Sequence, residues 1–471
     1  MEQRKESHLP RLKRLADMAR DGRKVLLPLM EREIPLILDV VRETGLRPLL
    51  GMRTRLRARG SGKWEKSGGY EAKFGLSTQE LLDAVRMLEE ADLLDCFQLL
   101  HFHVGSQIPE IRRIKDAVRE GARVYAKLIK TGCNMKVLDV GGGLGVDYDG
   151  SRTSYEASMN YTVQEYANDV VYNVQQVCEA EEVPMPTLVS ESGRALVAYH
   201  AMLITEVSGQ TSENVKEPLE IPEDAHENVS ELNEILDGIS RKNHREYLHD
   251  AEAMRENLLG HFDLGYLTLR DRALTERLFN RITQRALELA SGERYVPEEF
   301  ELLKKRMITK YIANFSVFQS IPDSWALDQL FPFVPIHRLN KKPTVRATIC
   351  DVTCDSDGEV DRFPDLRDVK DALDLHALEP GPPYYLAILL VGAYQDVLGD
   401  YHNLFGSVDV ANVKLGKGGA RVTKVAPGDD ADDVLRRFSH DPEAMVSSIQ
   451  EQVRLRIKDR KLTRAEANEI L

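Results

Sequence analysis

A glycine-rich stretch, VLDVGGGLGVDYDG (137–150), follows an apolar run and offers the first group of residues that could do chemistry. Its central glycines are Gly141, Gly142, Gly143 and Gly145. Backbone N–H groups without neighbouring side chains can wrap a phosphate at a strand end, so anion binding is one interpretation. Two common fingerprints fail, because Val146 stands where a dinucleotide motif needs a small residue and GSGKW (60–64) departs from the P-loop. The other interpretation is a tight turn that requires positive φ angles.

A pair of histidines lies in HFHVGSQ (101–107), at the end of another apolar run. Side chains alternate along a strand, so His101 and His103 are predicted to share one face. Three interpretations are open: a pair of metal ligands, an imidazole stacked on a flat ligand with Ser106 near a phosphate, or a buried, hydrogen-bonded histidine. A metal-dependent hydrolase would need more ligands at other strand ends, and the sequence offers acidic residues there but no third histidine.

Two further segments present polar groups next to apolar runs. In SESGRA (190–195), Glu191 could keep a ring nitrogen protonated and Arg194 could bind phosphate as a planar fork. The alternative for this segment is a surface ion pair. In VGAYQ (391–395), Tyr394 is either a ligand contact or a core tyrosine.

The segment CDSDG (354–358) brings a thiol and two carboxylates together within five residues. Asp355 and Asp357 could hold a cationic group, and Cys354 could move a proton. A turn rich in aspartate and glycine is the alternative, with calcium binding as a lesser possibility.

The composition is that of a packed protein with more than one core. The chain has 471 residues, of which 42% are apolar, so two or three domains are expected. The net charge of −13 disfavours a general nucleic-acid binder. The five cysteines are scattered without a CxxC pair, so we expect neither a disulfide scaffold nor a dedicated metal site. Because no secretory signal or membrane-length apolar run occurs, we predict a cytoplasmic protein that does not bind membranes.

Short apolar runs alternate with amphipathic segments over residues 1–205, which is typical of βα units. The runs are KVLLPLM (24–30), RPLLGMRTRL (47–56), DCFQLLHFHVG (95–105), MKVLDVGGG (135–143) and PTLVSESGR (186–194). Amphipathic segments at 78–94 and 114–132 are predicted helices. Polar residues follow the strand ends, where (β/α)8 barrels carry their active sites. Since only five strands are counted, the prediction is the C-terminal portion of such a barrel.

The rest of the chain divides into three predicted regions. Residues 206–310 form a charged helical insertion, with continuous helical periodicity over 246–290. Residues 311–425 read as an antiparallel β domain, and residues 426–471 as a helical tail. The fold class is therefore α/β plus all-β: a partial (β/α)8 TIM-type barrel, a helical insertion, a C-terminal antiparallel β domain and a helical tail.

Taken in order, these segments closely resemble the biosynthetic arginine decarboxylases. That family belongs to the alanine-racemase-like (fold-type III) pyridoxal-phosphate enzymes, with ornithine and diaminopimelate decarboxylases. The matching segments are GSGKW, KFGL, LLHFHVGSQ, DVGGGLGVDYDGSRTS, NYTVQEYAND, ESGRA, NFSVFQSIPDSWALDQLFP, VTCDSDG and VGAYQDVLGDYHNLFG. The motifs HVGSQ, GGGLGVDY and CDSDG together are specific to the class, whereas QSIPDSWALDQLFP and NLFG favour the arginine branch.

The resemblance implies a role for each residue at a matching position. His103 would stack on the pyridine ring, and Glu191 would pair with the ring nitrogen. The phosphate contacts would be Ser106, Gly142, Gly143, Gly193, Arg194 and Tyr394. Cys354 and Asp355 would act as proton donor and substrate carboxylate, delivered from the second subunit of a dimer. The implied substrate-binding segment is Leu138, Asp139, Val140, Gly141, Gly142, Gly143, Leu144, Gly145, Val146, Asp147 and Tyr148.

The implied reaction is decarboxylation of L-arginine to agmatine and CO2 with pyridoxal phosphate, feeding putrescine and spermidine (polyamine) biosynthesis. The alternatives are a decarboxylase of ornithine, diaminopimelate or carboxynorspermidine, and a non-catalytic truncated homologue. The resemblance also implies a homodimer or higher oligomer and an association with Mg2+. The family binds its cofactor through a lysine on the first barrel strand. KVLLPLM matches a middle strand, and Lys63 and Lys73 match other positions, so we expect a chain that begins within the barrel and lacks this lysine.

Overall fold

Five parallel strands form the first sheet. The structure, a computed structural model, describes residues 25–26, 33–58, 60, 69, 71–213, 219–291, 297–365 and 368–470. The strands pair in chain order: β1 Val25–Leu26, β2 Leu49–Arg53, β3 Phe97–His101, β4 Val137–Asp139 and β5 Thr187–Val189. Helices separate them, as in a (β/α)8 barrel. The predicted α/β class is therefore confirmed, with each of the five predicted apolar runs contributing one strand.

The first four helices of this region each bury an apolar face in the core that they share with the sheet, whereas the short fifth helix buries Arg194. They are α1 Ile34–Thr44, α2 Thr78–Glu90, α3 Ile111–Lys130, α4 Val163–Glu181 and α5 Gly193–Val197. Capping boxes at Ser77 and Thr162 fix where α2 and α4 begin. Phe97, Leu100 and Leu138 lie fully buried in the shared core. This core holds the strands rigidly, so the loops at their carboxyl ends are carried on a firm base.

Four helices make up a separate bundle with its own apolar core: α6 Glu227–Gly238, α7 His244–Asp263, α8 Leu269–Ala290 and α9 Glu298–Arg306. The segment 246–290, which has helical periodicity throughout, forms two helices, α7 and α8. The chain breaks after α7, because Gly265 adopts a φ of +80° and Thr268 begins α8 with a capping box.

A second sheet has seven strands. Its strands are β6 Leu203–Thr211, β7 Thr309–Ala313, β8 Phe333–Pro335, β9 Val345–Cys350, β10 Glu359–Val360, β13 Leu373–Leu375 and β14 Tyr385–Ile388. The order is β10-β9-β7-β6-β14-β8, with β13 also paired to β9. The predicted antiparallel β domain is confirmed in most of its pairings, with the exception of β7 and β9, which run parallel. The long connection between them leaves room for the required crossover.

The helical bundle is inserted between two neighbouring strands of this sheet. β6 and β7 pair with each other, and the bundle lies between them in sequence. The boundaries predicted at 205/206 and 310/311 fall inside these strands. A sequence boundary set by charge and helical periodicity therefore misses the strands that anchor both ends of the insertion.

The remaining elements lie outside these two sheets and the helical bundle. They are the short ladder β11 Phe363–Pro364 with β12 Val369–Lys370, the exposed hairpin β15 Val410–Gly416 with β16 Gly419–Ala426, and helices α10 Val317–Ser320, α11 Pro322–Leu327, α12 Gln395–Leu398, α13 Ala431–Arg437, α14 Pro442–Lys458 and α15 Arg464–Ile470. None of the described helices is both long and apolar enough to cross a membrane.

Candidate active site

Charged side chains line up at the carboxyl ends of the parallel strands. Arg53, His101 and Asp139 are register partners on β2, β3 and β4, and Glu191 follows β5. Burial lowers the pKa of Arg53, an effect that the nearby Glu191 carboxylate opposes. Sequence reasoning missed Arg53, although it ends an apolar run just as the three other residues do. A polar residue at each strand end was the signal that could have found it.

The first glycine of the 137–150 stretch connects three strand ends. Gly141 has a φ of +69°, and a Cβ there would overlap the carbonyl oxygen of Phe102. Its N–H donates to Asp139 Oδ1 at 2.9 Å, and its carbonyl accepts from the Glu191 N–H at 2.9 Å. Both the turn geometry and the close approach therefore require glycine.

The N–H groups of the loop point mostly into the protein. Gly142 N–H donates to His103 Nδ1 at 3.4 Å, and Gly145 N–H donates to the Tyr161 hydroxyl at 3.1 Å. The expectation of an open cradle of N–H groups therefore needs correction for these two glycines. The Gln107 side-chain amide donates to the Val146 carbonyl and accepts from the Val146 N–H. The sequence did not predict these roles of Gln107 and Tyr161.

The two histidines occupy different environments. β3 ends at His101, so the alternation that predicted a shared face does not extend to His103. His101 is buried, with Nδ1 3.1 Å from Asp139 Oδ2. His103 is half-buried, and burial lowers its pKa to about 4, with further lowering from Arg53 and His101. His103 is therefore neutral at pH 7, and its ring lies against Gly142, where a Cβ would come 3.4 Å from Cε1.

Arg194 is buried among hydroxyl groups. It lies in the first turn of α5, where Nε donates to Ser106 Oγ at 3.1 Å and Nη1 donates to the Tyr148 hydroxyl at 3.0 Å. Its guanidinium lies 4.9 Å from the centre of the Tyr394 ring. A Cβ on Gly193 would be 3.9 Å from the Tyr394 hydroxyl. Predicted phosphate contacts from three separate segments thus converge, and Arg194 is buried rather than at the surface.

The predicted substrate-binding segment is largely part of the hydrophobic cores. Buried side chains there are Leu138, Val140, Leu144, Val146 and Tyr148. Asp147 accepts a hydrogen bond from Ser158 Oγ at 2.7 Å. In this segment, the Asp139 side chain and the glycine backbone lie at the strand ends, where a ligand could contact them.

The Cys354 loop, which we define as residues 351–358, lies on the second sheet. Cys354 is exposed, and its N–H and Sγ lie 3.2 and 3.6 Å from Asn403 Oδ1. Asp355 Oδ2 lies 3.4 Å from His402 Nε2, and Asp357 accepts from Trp325 Nε1 at 3.0 Å. These contacts join the predicted proton donor to the NLFG segment.

Two lysines were considered at the sequence level. Lys63 lies outside the described residues. Lys73 is described, and its Nζ lies 5.3 Å from the centre of the Phe74 ring. This contact is with its neighbour in sequence and not with a strand-end residue.

The fold and the strand-end residues define a class. Residues 29–198 match the family "Pyridoxal-dependent decarboxylase, pyridoxal binding domain", and residues 222–304 match "Arginine decarboxylase helical bundle domain". The diaminopimelate decarboxylase of Helicobacter pylori shares the fold, with a TM-score of 0.54 at 16% identity. The architecture is thus that of the fold-type III pyridoxal-dependent decarboxylases.

Closer relatives narrow the class to a family. The biosynthetic arginine decarboxylase of Deinococcus radiodurans is 49% identical over 457 residues, covering 96% of this chain and 69% of that protein. The one from a Nostoc species is 45% identical, covering 93% and 65%. The solved structure of the Campylobacter jejuni biosynthetic arginine decarboxylase has a TM-score of 0.79 at 34% identity, covering 95% and 71%. The chain belongs to the biosynthetic arginine decarboxylase family, and it spans about two thirds of these relatives' length.

Proposed function

We propose that this protein decarboxylates L-arginine to agmatine and CO2 with pyridoxal phosphate, as one step of polyamine biosynthesis. One observation carries the proposal: Ser106, Gly193, Arg194 and Tyr394 converge, and the two loops that supply Ser106 and Arg194 also carry a neutral His103 and Glu191. The names of the relatives support arginine as the substrate.

The residues present fit the cofactor in shape and charge. Arg194 offers a buried positive charge, and Ser106 and Tyr148 add hydroxyls around it, which suits a phosphate. Gly193 leaves space next to the Tyr394 hydroxyl. Because His103 is neutral, its ring can stack on a flat heterocycle without repelling a protonated nitrogen.

Each residue group has a separate task in the proposal. When bound, the cofactor would accept the electron pair left at Cα as CO2 departs. Glu191 holds the proton on the ring nitrogen, which keeps that acceptor strong. Cys354 returns a proton to Cα, and Asp355 pairs with the cationic end of the substrate. The proposal assigns no residue to the Schiff base and no role to Mg2+.

We place the Cys354 loop in the active site of a second copy of the chain. Cys354 and Asp355 are exposed, and they contact Asn403 and the preceding His402 rather than a strand end. Exposure of a proton donor suits a residue that completes a neighbouring site. All five cysteines are free, which fits the reducing conditions of the cytoplasm, where we locate the reaction.

A direct assay tests the substrate. The protein is supplied with pyridoxal phosphate and with carboxyl-labelled L-arginine, L-ornithine or diaminopimelate, and agmatine is identified by mass spectrometry. We expect labelled CO2 and agmatine from arginine alone, and no product with Glu191→Gln. Release of CO2 from ornithine or diaminopimelate, without agmatine, would overturn the arginine assignment. Borohydride reduction and peptide mapping then identify any lysine that holds the cofactor.

Mixing two inactive variants tests the shared site. His103→Ala removes a cofactor contact, and Cys354→Ala removes the proton donor. If the loop serves a second copy, mixed dimers contain one intact site, and an equal mixture regains about a quarter of the activity. A mixture that stays inactive, although both variants form dimers, contradicts the shared site.

A further inference from the structure

We propose that His101, Asp139 and Glu191 form a binding site for a divalent transition-metal ion, and that this ion competes with the cofactor. One ligand atom from each of the three residues lies within 4.8 Å of the others. The site itself stands on this geometry. The competition rests on the proposed function, because it requires that Glu191 also serve pyridoxal phosphate.

The closest pair already has the separation of two ligands of one ion. His101 Nδ1 and Asp139 Oδ2 are 3.1 Å apart, and their side chains are only 5% and 10% exposed. An ion bound tetrahedrally at about 2.0–2.2 Å from its nitrogen and oxygen ligands separates adjacent ligand atoms by about 3.3–3.6 Å, slightly more than the distance in this pair. The pair therefore needs little movement to bind a metal.

The direction of the His101 ring supports ligation over a hydrogen bond. Although Nδ1 is close to Asp139, it is buried and has no hydrogen-bond partner within the described parts of the chain. A buried polar atom without a partner costs free energy. With the proton on Nε2, the Nδ1 lone pair would be free to bind an ion located beside the Asp139 carboxylate.

The Asp139 carboxylate is held in place by its other oxygen. Oδ1 accepts from the Gly141 N–H at 2.9 Å, which leaves Oδ2 for a ligand. A hydrogen bond to the second atom of a ligating group is the usual way in which proteins orient metal ligands. The glycine loop therefore positions this carboxylate as well as Glu191.

The ligand types select the ion. One imidazole with two carboxylates suits Zn2+ or Co2+ better than Mg2+, which prefers oxygen ligands and bound water. The site brings together the two carboxylates of Asp139 and Glu191, and the Arg53 guanidinium near Glu191 offsets one of these negative charges. This site differs from the sequence-based expectation of no dedicated metal site.

Competition follows from the double use of Glu191. In the cofactor complex its carboxylate faces a protonated ring nitrogen, and in the metal complex it would bind the ion. One carboxylate cannot do both, because the two cations would occupy the same space. Metal binding and pyridoxal phosphate binding should therefore weaken each other by the same factor.

The experiment uses the tag-free 471-residue chain, stripped of metal, with Zn2+ followed by calorimetry and Co2+ by its visible absorption. We expect one ion per chain, bound at least about tenfold more weakly by His101→Asn. Cys354→Ser serves as the control for thiol binding and should leave the affinity unchanged. His103→Ala should retain the ion but lose affinity for pyridoxal phosphate.

A second titration measures pyridoxal phosphate with and without Zn2+. At a Zn2+ concentration ten times its Kd, the apparent Kd of pyridoxal phosphate should rise about tenfold in the wild-type chain and stay constant in His101→Asn.

The outcomes separate the two claims. Absence of a bound ion, or a metal affinity unchanged in both His101→Asn and Glu191→Gln, overturns the site. An ion that binds without shifting the Kd overturns the competition. If the ion binds but pyridoxal phosphate does not, the proposed function fails and the metal site stands. If His101→Asn does not fold, Glu191→Gln replaces it in both titrations, because Glu191 is exposed and its substitution should not disturb folding.

Discussion

The two parts of the proposed active site are built in opposite ways. The strand-end cluster, which we define as His101, His103, Asp139, Glu191 and Arg194, rests on the buried core of the parallel sheet. The Cys354 loop presents Cys354, Asp355 and Asp357 to solvent. One group of residues is fixed by many neighbours, and the other by a few contacts to His402, Asn403 and Trp325.

This difference fits two tasks: the strand-end cluster would bind the cofactor, and the Cys354 loop would supply side chains to a second copy of the chain. A cofactor pocket must hold its geometry before the ligand arrives, so its residues belong on rigid strand ends. A group that reaches into another copy must be exposed in its own chain. Substitutions in the strand-end cluster should therefore affect stability and cofactor binding, whereas those at the Cys354 loop should affect only the reaction.

The largest effect is expected at Gly141. Gly141→Ala introduces a Cβ at a φ of +69° that overlaps the Phe102 carbonyl, so we expect a loss of about 3–5 kcal/mol in the free energy of unfolding. Gly150→Ala is the matched control, because its φ is +76° but nothing lies within 4 Å of the added Cβ. The control should lose only about 1 kcal/mol, measured by urea denaturation. Equal losses would show that the close approach has no importance.

Arg194→Ala should have the next largest effect. The substitution removes the hydrogen bonds to Ser106 and Tyr148 and leaves a buried tyrosine hydroxyl without its donor, which costs about 2–4 kcal/mol of stability. Loss of the phosphate partner should also raise the Kd of pyridoxal phosphate about 100-fold, measured by fluorescence titration. Arg194→Lys retains the charge but not the planar fork, so an intermediate Kd is expected. A Kd unchanged in both variants would contradict the phosphate assignment.

His103 should make the stability depend on pH. Its pKa is lowered from 6.5 to about 4, so the unfolded chain binds a proton at pH 5 that the folded chain does not. Because the unfolded state binds more protons, the free energy of unfolding decreases as the pH falls from 6.5 towards 4, by about 2 kcal/mol at pH 5. Comparison of wild type and His103→Gln by urea denaturation at pH 7.5 and pH 5 isolates this contribution. A pH dependence that is identical in the two proteins would show that His103 titrates normally.

The sequence predicted most of the elements and proposed the residues of the site, but it did not predict how the loops approach one another. The five runs and the polar groups after them were visible because burial and strand ends leave local patterns. Whether Gly142 donates to a ligand or to His103 depends on how two distant loops approach, which no local pattern encodes. For the same reason the parallel pairing of β7 with β9 was missed.

The missed residues share a second physical cause. Arg53, Gln107 and Tyr161 act on segments far away in sequence, so their partners are known only once the strands are aligned. The positive φ of Gln107, +49°, is likewise unusual for a residue that is not glycine. Such positions are fixed by tertiary contacts that outweigh local preference.

The smallest effect on stability is expected at Cys354, and this is the sharpest test of the comparison. Cys354→Ser changes one atom on an exposed side chain, so stability should stay within about 0.5 kcal/mol and the Kd of pyridoxal phosphate should not change. A thiol reagent should modify Cys354 well before Cys96, Cys133 and Cys178, which are buried. Serine is a far weaker acid than cysteine, so the return of the proton should slow while cofactor binding persists. If Cys354→Ser instead weakened cofactor binding as Arg194→Ala does, the two regions would be one preformed site, and the division between a rigid pocket and a delivered group would be wrong.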